Sequence, residues 1–82
     1  MVWFFRRRRE RVQMDTFYDN EANDFVMRLH YPDGRRHIER FDTLSNFREG
    51  LKRAEQRLVV DQWEQDGTPI IIPDGFPNRR LN

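Results

Sequence analysis

The side chains best able to hold a metal ion are His37 and Glu39, two residues apart in "RRHIERF", with His30 in the preceding "RLHYPDG". Residues two apart on a strand point to the same face. His37 and Glu39 can therefore converge, and His30 can approach them from a neighbouring strand. Two imidazoles and a carboxylate form the minimal donor set of an open metal site. The spacing matches no recurring metal-binding pattern, and a solvent-facing strand on which His and Arg alternate accounts for the same residues. No metal or other cofactor is expected.

Nucleophilic catalysis finds less support. The chain has no cysteine, and its only serine is Ser45. That serine falls in the first turn of an expected helix, whereas both histidines fall on an expected hairpin. A serine nucleophile needs a base within hydrogen-bond reach, and nothing in the sequence brings one there. The glycines, at 34, 50, 67 and 75, are scattered and build no phosphate-binding loop. A non-catalytic protein is expected.

Arginine is the residue type that recurs. Arg6, Arg7, Arg8 and Arg9 follow the apolar run Val2 to Phe5, and Arg28, Arg35, Arg36 and Arg40 join His30 and His37 in residues 25–41. Arg48, Lys52, Arg53 and Arg57 add basic groups further on. Residues 1–11 carry five arginines against Glu10, a net +4, while the other 71 residues carry ten basic and thirteen acidic groups, a net −3. The net positive charge of the chain thus belongs to its first residues, and the remainder is mildly acidic. An export signal places its charges before a longer apolar segment. A membrane-spanning helix needs about 20 apolar residues. Neither pattern is present.

Residues 1–10 are read as a basic arm, dispensable for folding, packed at the domain edge or solvated. Two further roles suit its chemistry. Arg6, Arg7, Arg8 and Arg9 can contact phosphates, and residues 2–9 can make peripheral membrane contact, with aromatic rings at the headgroups and arginines on anionic lipid.

A chain of 82 residues makes one small domain, taken here as 11–75 with a polar tail at 76–82. At 37% hydrophobic and 35% charged, it can bury only a thin core, to which its eleven aromatic residues must contribute. The absence of cysteine suits a reducing, cytoplasmic setting.

Three strands are expected first. In "RVQMDTFYD", Val12, Met14, Thr16 and Tyr18 alternate with a wetter side of Gln13, Asp15 and Phe17. Phe25, Met27, Leu29 and Tyr31 then line one face of a second strand, and "RRHIERF" returns as a third. A two-residue Asp33-Gly34 turn would set His30 opposite His37 and Arg28 opposite Glu39. A bulged three-residue loop would set Phe25 opposite Phe41 and leave the histidines diagonal. Pro32 favours the bulge, because proline suits the first central position of a type I turn.

Asp42-Thr43 supplies an N-cap. Leu44, Phe47, Leu51, Ala54 and Leu58 recur at helical spacing, predicting an amphipathic helix over 43–58. Gly50 borders the apolar stripe, which suggests close approach to the sheet. Val59, Val60 and Trp63 then favour a strand, and Ile70 to Ile72, bracketed by prolines, an edge strand or extended wrap.

The fold class expected is therefore α+β: a three-stranded antiparallel meander packed by one helix, with a short C-terminal hairpin or wrap, in the order β-β-β-α-β-β. The expected core is Met14, Phe25, Met27, Leu29, Tyr31, Leu44, Phe47, Leu51, Ala54, Leu58, Trp63 and Ile71. Function follows from what the core leaves out. Val26, Arg28, His30, Arg36, Ile38 and Arg40 face outward, and Arg28, His30, Arg36, Ile38 and Arg40 form the candidate interaction surface. Arginine is enriched at interfaces, and its planar fork suits carboxylate or phosphate. The competing expectation is that residues 70–72 bury Ile38. The chain reads as a small interaction module for a protein partner. The alternative is a nucleic-acid-binding domain using the arginine arm and the basic hairpin.

Overall fold

The turn Pro32-Asp33-Gly34 sets the register of the sheet. Gly34 N–H donates to Tyr31 O at 3.0 Å, Tyr31 N–H donates to Arg35 O at 2.9 Å, and Gly34 takes φ +92°. This is a type I turn closed by a glycine bulge, and it sets Phe25 opposite Phe41, Leu29 opposite His37 and His30 opposite Arg36. The computed structural model describes residues 1–71. Within them the elements run β1 (Val2–Arg7), β2 (Glu10–Asp19), β3 (Asp24–His30), β4 (Arg36–Phe41), α1 (Leu44–Val60) and β5 (Glu64–Gln65). The strands form one antiparallel sheet in the order β4-β3-β2-β1-β5, giving an α+β fold.

The first residues are not an arm. Val2–Arg7 pairs residue for residue with β2, from Val2 opposite Asp15 to Arg7 opposite Glu10. Val2 and Phe5 are buried, Phe5 to 3% exposure. Trp3 and Phe5 face one side of the sheet, Val2 and Phe4 the other. The strand is therefore apolar on both faces, and leaving it unpaired would expose all four side chains. Arg8 and Arg9 make the two-residue turn into β2, with Arg8 at φ 57°. The expected boundary at residue 75 and the tail 76–82 lie outside the described residues.

One sheet face packs against α1. Phe5, Val12, Met14, Met27 and Leu29 meet Ala54, Leu58 and Trp63, with Trp3, Tyr31, Phe41, Phe47 and Leu51 packed around them. Phe25 is half-buried and stacks on Phe47 with ring centroids 5.2 Å apart. Leu44 and Ile71, expected in the core, are exposed. Leu44 occupies the first helical position, on the flank of the stripe. Ile71 follows Ile70, which bridges Val2 at the far edge of the sheet.

Thr43 caps α1, its Oγ1 accepting from Asn46 N–H at 3.1 Å. The helix runs past its expected end, so Val59 and Val60 are helical and exposed rather than the start of a strand. It closes when Trp63 N–H donates to Leu58 O at 2.9 Å and Gln62 N–H to Val59 O at 3.0 Å, with Gln62 at φ 71°. That reversal is a Schellman motif with Leu58 and Trp63 as its apolar contact, and it drops Trp63 into the core. The chain then follows the β1 edge. Glu64–Gln65 pairs with Arg6 and Phe5, and Val2 and Ile70 exchange two backbone bonds of 2.8 Å. Of the two C-terminal forms expected, this is the extended wrap.

Candidate interaction surface

The second sheet face carries the side chains that alternate with the core. From β4 to β1 its rows are Arg40, Val26 and Phe17; then Ile38, Arg28, Asp15 and Val2; then Arg36, His30, Gln13 and Phe4. Among the described residues no helix covers this face. All five candidate surface residues lie on it: Arg28 and His30 from β3, and Arg36, Ile38 and Arg40 from β4. Ile38 is 53% exposed. It is not covered by Ile70, which sits on the opposite edge, while Ile72 is outside the described residues. Val26, expected outward as an apolar contact, does face this side but is only 1% exposed, enclosed in the row between Phe17 and Arg40.

At the centre stands Asp15, a buried carboxylate. Arg28 Nε donates to its Oδ1 at 2.8 Å, His30 Nε2 lies 3.3 Å from its Oδ2, and Gln13 Nε2 donates to Oδ2 at 3.4 Å. The Arg28 guanidinium lies over the Phe17 ring at 4.8 Å, and Arg11 covers Phe4 at 5.0 Å. At one end of the face Arg40 reaches both Asp19, at 3.1 Å, and Asp24, at 2.9 Å. The hydrogen bond from Arg40 holds the Asp19 carboxyl below its ordinary value, helped by the Ala22 N–H, and Asp19 in turn raises Arg40. At the other end Arg11 meets Asp66 at 3.3 Å and Arg6 meets it at 4.0 Å.

Arg6 to Arg9 do not form one phosphate-contacting group. Arg6 lies on the open face. Arg7 lies on the helix side, where it donates to Asp61 O at 2.9 Å, pairs with Glu10 at 3.2 Å and stands over Trp63 at 4.3 Å. Arg8 and Arg9 project at the β1–β2 turn. The aromatic rings of residues 3–5 are held within the sheet. The histidines also part: His30 is on the open face, His37 on the helix side beside Glu39 at 3.6 Å. Among the described residues no three His, Cys, Asp or Glu side chains form a metal-binding group. Ser45 is exposed in the first turn of α1. No helix among the described residues is long and apolar enough to cross a membrane.

A second feature borders β4. Between β4 and α1 the surface opens into a depression of about 380 Å³ beside Arg40, Phe41, Asn46 and Arg53. A smaller one of about 110 Å³ follows beside His37, Glu39, Arg53 and Arg57, floored by Met27 and Leu29. Sequence reasoning missed this groove and the organising role of Asp15. The wetter side of "RVQMDTFYD" placed Asp15 beside Gln13 and Phe17, but its burial depends on β1 lying alongside. Comparison with models of known protein families, with curated proteins and with solved structures found no match.

Proposed function

We propose that this chain is a small non-catalytic interaction module that binds a protein partner through the surface formed by Arg28, His30, Arg36, Ile38 and Arg40. The observation that supports this reading above a nucleic-acid one is the pairing of the arginines on the open face. Arg28 faces Asp15, Arg40 faces Asp19 and Asp24, and Arg6 and Arg11 face Asp66. A phosphate backbone draws its affinity from unneutralised cations that displace condensed counterions. Here each of those arginines would first have to leave a carboxylate. What the face offers instead is an exposed Ile38 and half-exposed rings framed by guanidinium groups, a composition enriched where proteins meet. The cysteine-free composition supports a reducing, cytoplasmic setting for such a module.

The nucleic-acid reading retains Arg8, Arg9 and Arg36, for which no ion pair is found among the described residues. A membrane reading is weaker, because Trp3, Phe4 and Phe5 would have to leave the sheet to enter a headgroup layer. Fluorescence anisotropy of labelled mixed-sequence single- and double-stranded oligonucleotides at low salt separates the first two. The expected result is no saturable binding at a protein concentration of about 10⁻⁴ M, where ordinary non-specific binders are already engaged. Saturable binding that weakens steeply with added salt would move the assignment to nucleic acid.

A further inference from the structure

We propose that β4 accepts an extended, acidic segment of a partner protein as an added strand, with alternate side chains of that segment entering the groove between β4 and α1. The inference rests on the interaction-module reading and adds the chemistry of the partner.

The backbone supplies the first argument. β4 is an outer strand, paired only with β3. Antiparallel pairs alternate between bonded and non-bonded positions. The Tyr31 to Arg35 bond that closes the hairpin fixes the phase, so Arg36, Ile38 and Arg40 fall at non-bonded positions. Their N–H and C=O groups point away from β3, and among the described residues they have no backbone partner. An added strand gains affinity from such a row, and pockets beside it read alternate side chains.

Those pockets are the second argument. The two depressions between β4 and α1, about 380 and 110 Å³, both border Arg53. They therefore succeed one another along the strand, within reach of side chains spaced two residues apart on an added strand.

Charge decides the occupant. Arg36, Arg53 and Arg57 have no ion pair among the described residues, unlike Arg28 and Arg40. Carboxylates on an added strand would supply the missing partners. A second copy of this chain fits worse. Antiparallel self-pairing about Ile38 would set Arg36 of each copy opposite Arg40 of the other, and like charges directly opposed across strands are destabilising.

The test uses the full isotope-labelled chain and two capped pentapeptide probes, Thr-Glu-Val-Glu-Thr and Thr-Lys-Val-Lys-Thr, followed by amide chemical shifts. The glutamate probe should produce saturating shifts at Arg36, Ile38 and Arg40 and along α1 near Arg53 and Arg57, and the lysine probe should not. The paired substitutions Arg53→Glu and Arg57→Glu, at exposed positions, should weaken the glutamate probe by about tenfold or more. Ile38→Pro, which removes an outward N–H but no bond to β3, should abolish binding while leaving the remaining spectrum folded. Three results would overturn the proposal: no saturating shift at millimolar glutamate probe, equal binding of both probes, or shifts confined to the Phe4 and Phe17 region. Concentration-dependent shifts of β4 without a probe would assign the edge to a second copy and overturn it as well. Oligonucleotide binding in the anisotropy experiment would instead remove the interaction-module reading, so the two failures are distinguishable.

Discussion

Gly50 faces the ring of Phe41 so closely that a Cβ at position 50 would overlap it. The glycine lets the first half of α1 settle on the end of β4, where Phe41, Phe47 and Phe25 pack together. Glycine within a helix costs about 1 kcal/mol relative to alanine, so this contact must offset that penalty. Overpacking of such a site costs about 1–3 kcal/mol. Gly50→Ala should therefore lower stability by about 1 kcal/mol in urea unfolding. In a Phe41→Leu background, where the ring is gone, the same substitution should stabilise. The change of sign is the check.

β1 should be required for folding. Phe5 is 3% exposed in the centre of the core, and truncating a buried phenylalanine costs about 3–5 kcal/mol. Phe5→Ala should lower the urea midpoint strongly, and deletion of residues 1–9 should leave no cooperative transition. A deletion variant that melts like the intact chain would show that β2 does not need its neighbour.

What the sequence disclosed depended on which faces carried a contrast. Strands β2 to β4 were legible because Phe25, Met27, Leu29 and Tyr31 alternate with Val26, Arg28 and His30, and Pro32-Asp33-Gly34 has a turn chemistry that fixes register. The helix was legible through the spacing of Phe47, Leu51, Ala54 and Leu58. β1 was not, for a physical reason: Val2 and Phe4 serve one face while Trp3 and Phe5 serve the other, so no alternation remains, and the adjoining arginines draw attention to charge. Val59 and Val60, β-branched and apolar, suggest a strand. Their helical state is set by the Gln62 reversal, which has no glycine to mark it. The five surface residues were placed on a common face by alternation alone. The carboxylates that neutralise Arg28 and Arg40 come from β2 and the start of β3, and those pairings depend on register between strands.

Asp15 should be the most sensitive polar position of the open face. Removing one partner from a buried, hydrogen-bonded charge leaves the others unsatisfied. Asp15→Ala should cost about 2 kcal/mol, less than a fully buried pair because Arg28 keeps 41% of its side chain in solvent. Asp15→Asn should cost less, since an amide oxygen still accepts from Arg28. Chemical unfolding of the two variants measures the difference.

Acid should weaken the end of the face where Arg40 lies. Arg40 and the Ala22 N–H hold Asp19 below its ordinary value of 3.8, and the Arg35 N–H lowers Asp33 in the same direction. A carboxyl depressed by folding contributes stability that is fully present above its unfolded value and is lost as pH falls through its lower folded value. The stability difference between the intact chain and Arg40→Gln should thus be present at neutral pH and shrink below about pH 3.8 as Asp19 takes up its proton. Both groups are exposed, so added salt should shrink it too. A difference unchanged by acid would mean that the Arg40 contact is one of packing alone.

The central claim is that β4 presents a free, outward-facing edge beside the arginine-framed face, available to a protein partner. Amide hydrogen exchange of the isolated chain tests this most directly. The account predicts alternation along the strand, with His37, Glu39 and Phe41 protected by their bonds to β3 and Arg36, Ile38 and Arg40 exchanging rapidly. Protection of Ile38 equal to that of Glu39 would mean that the edge is already covered, and would contradict the account.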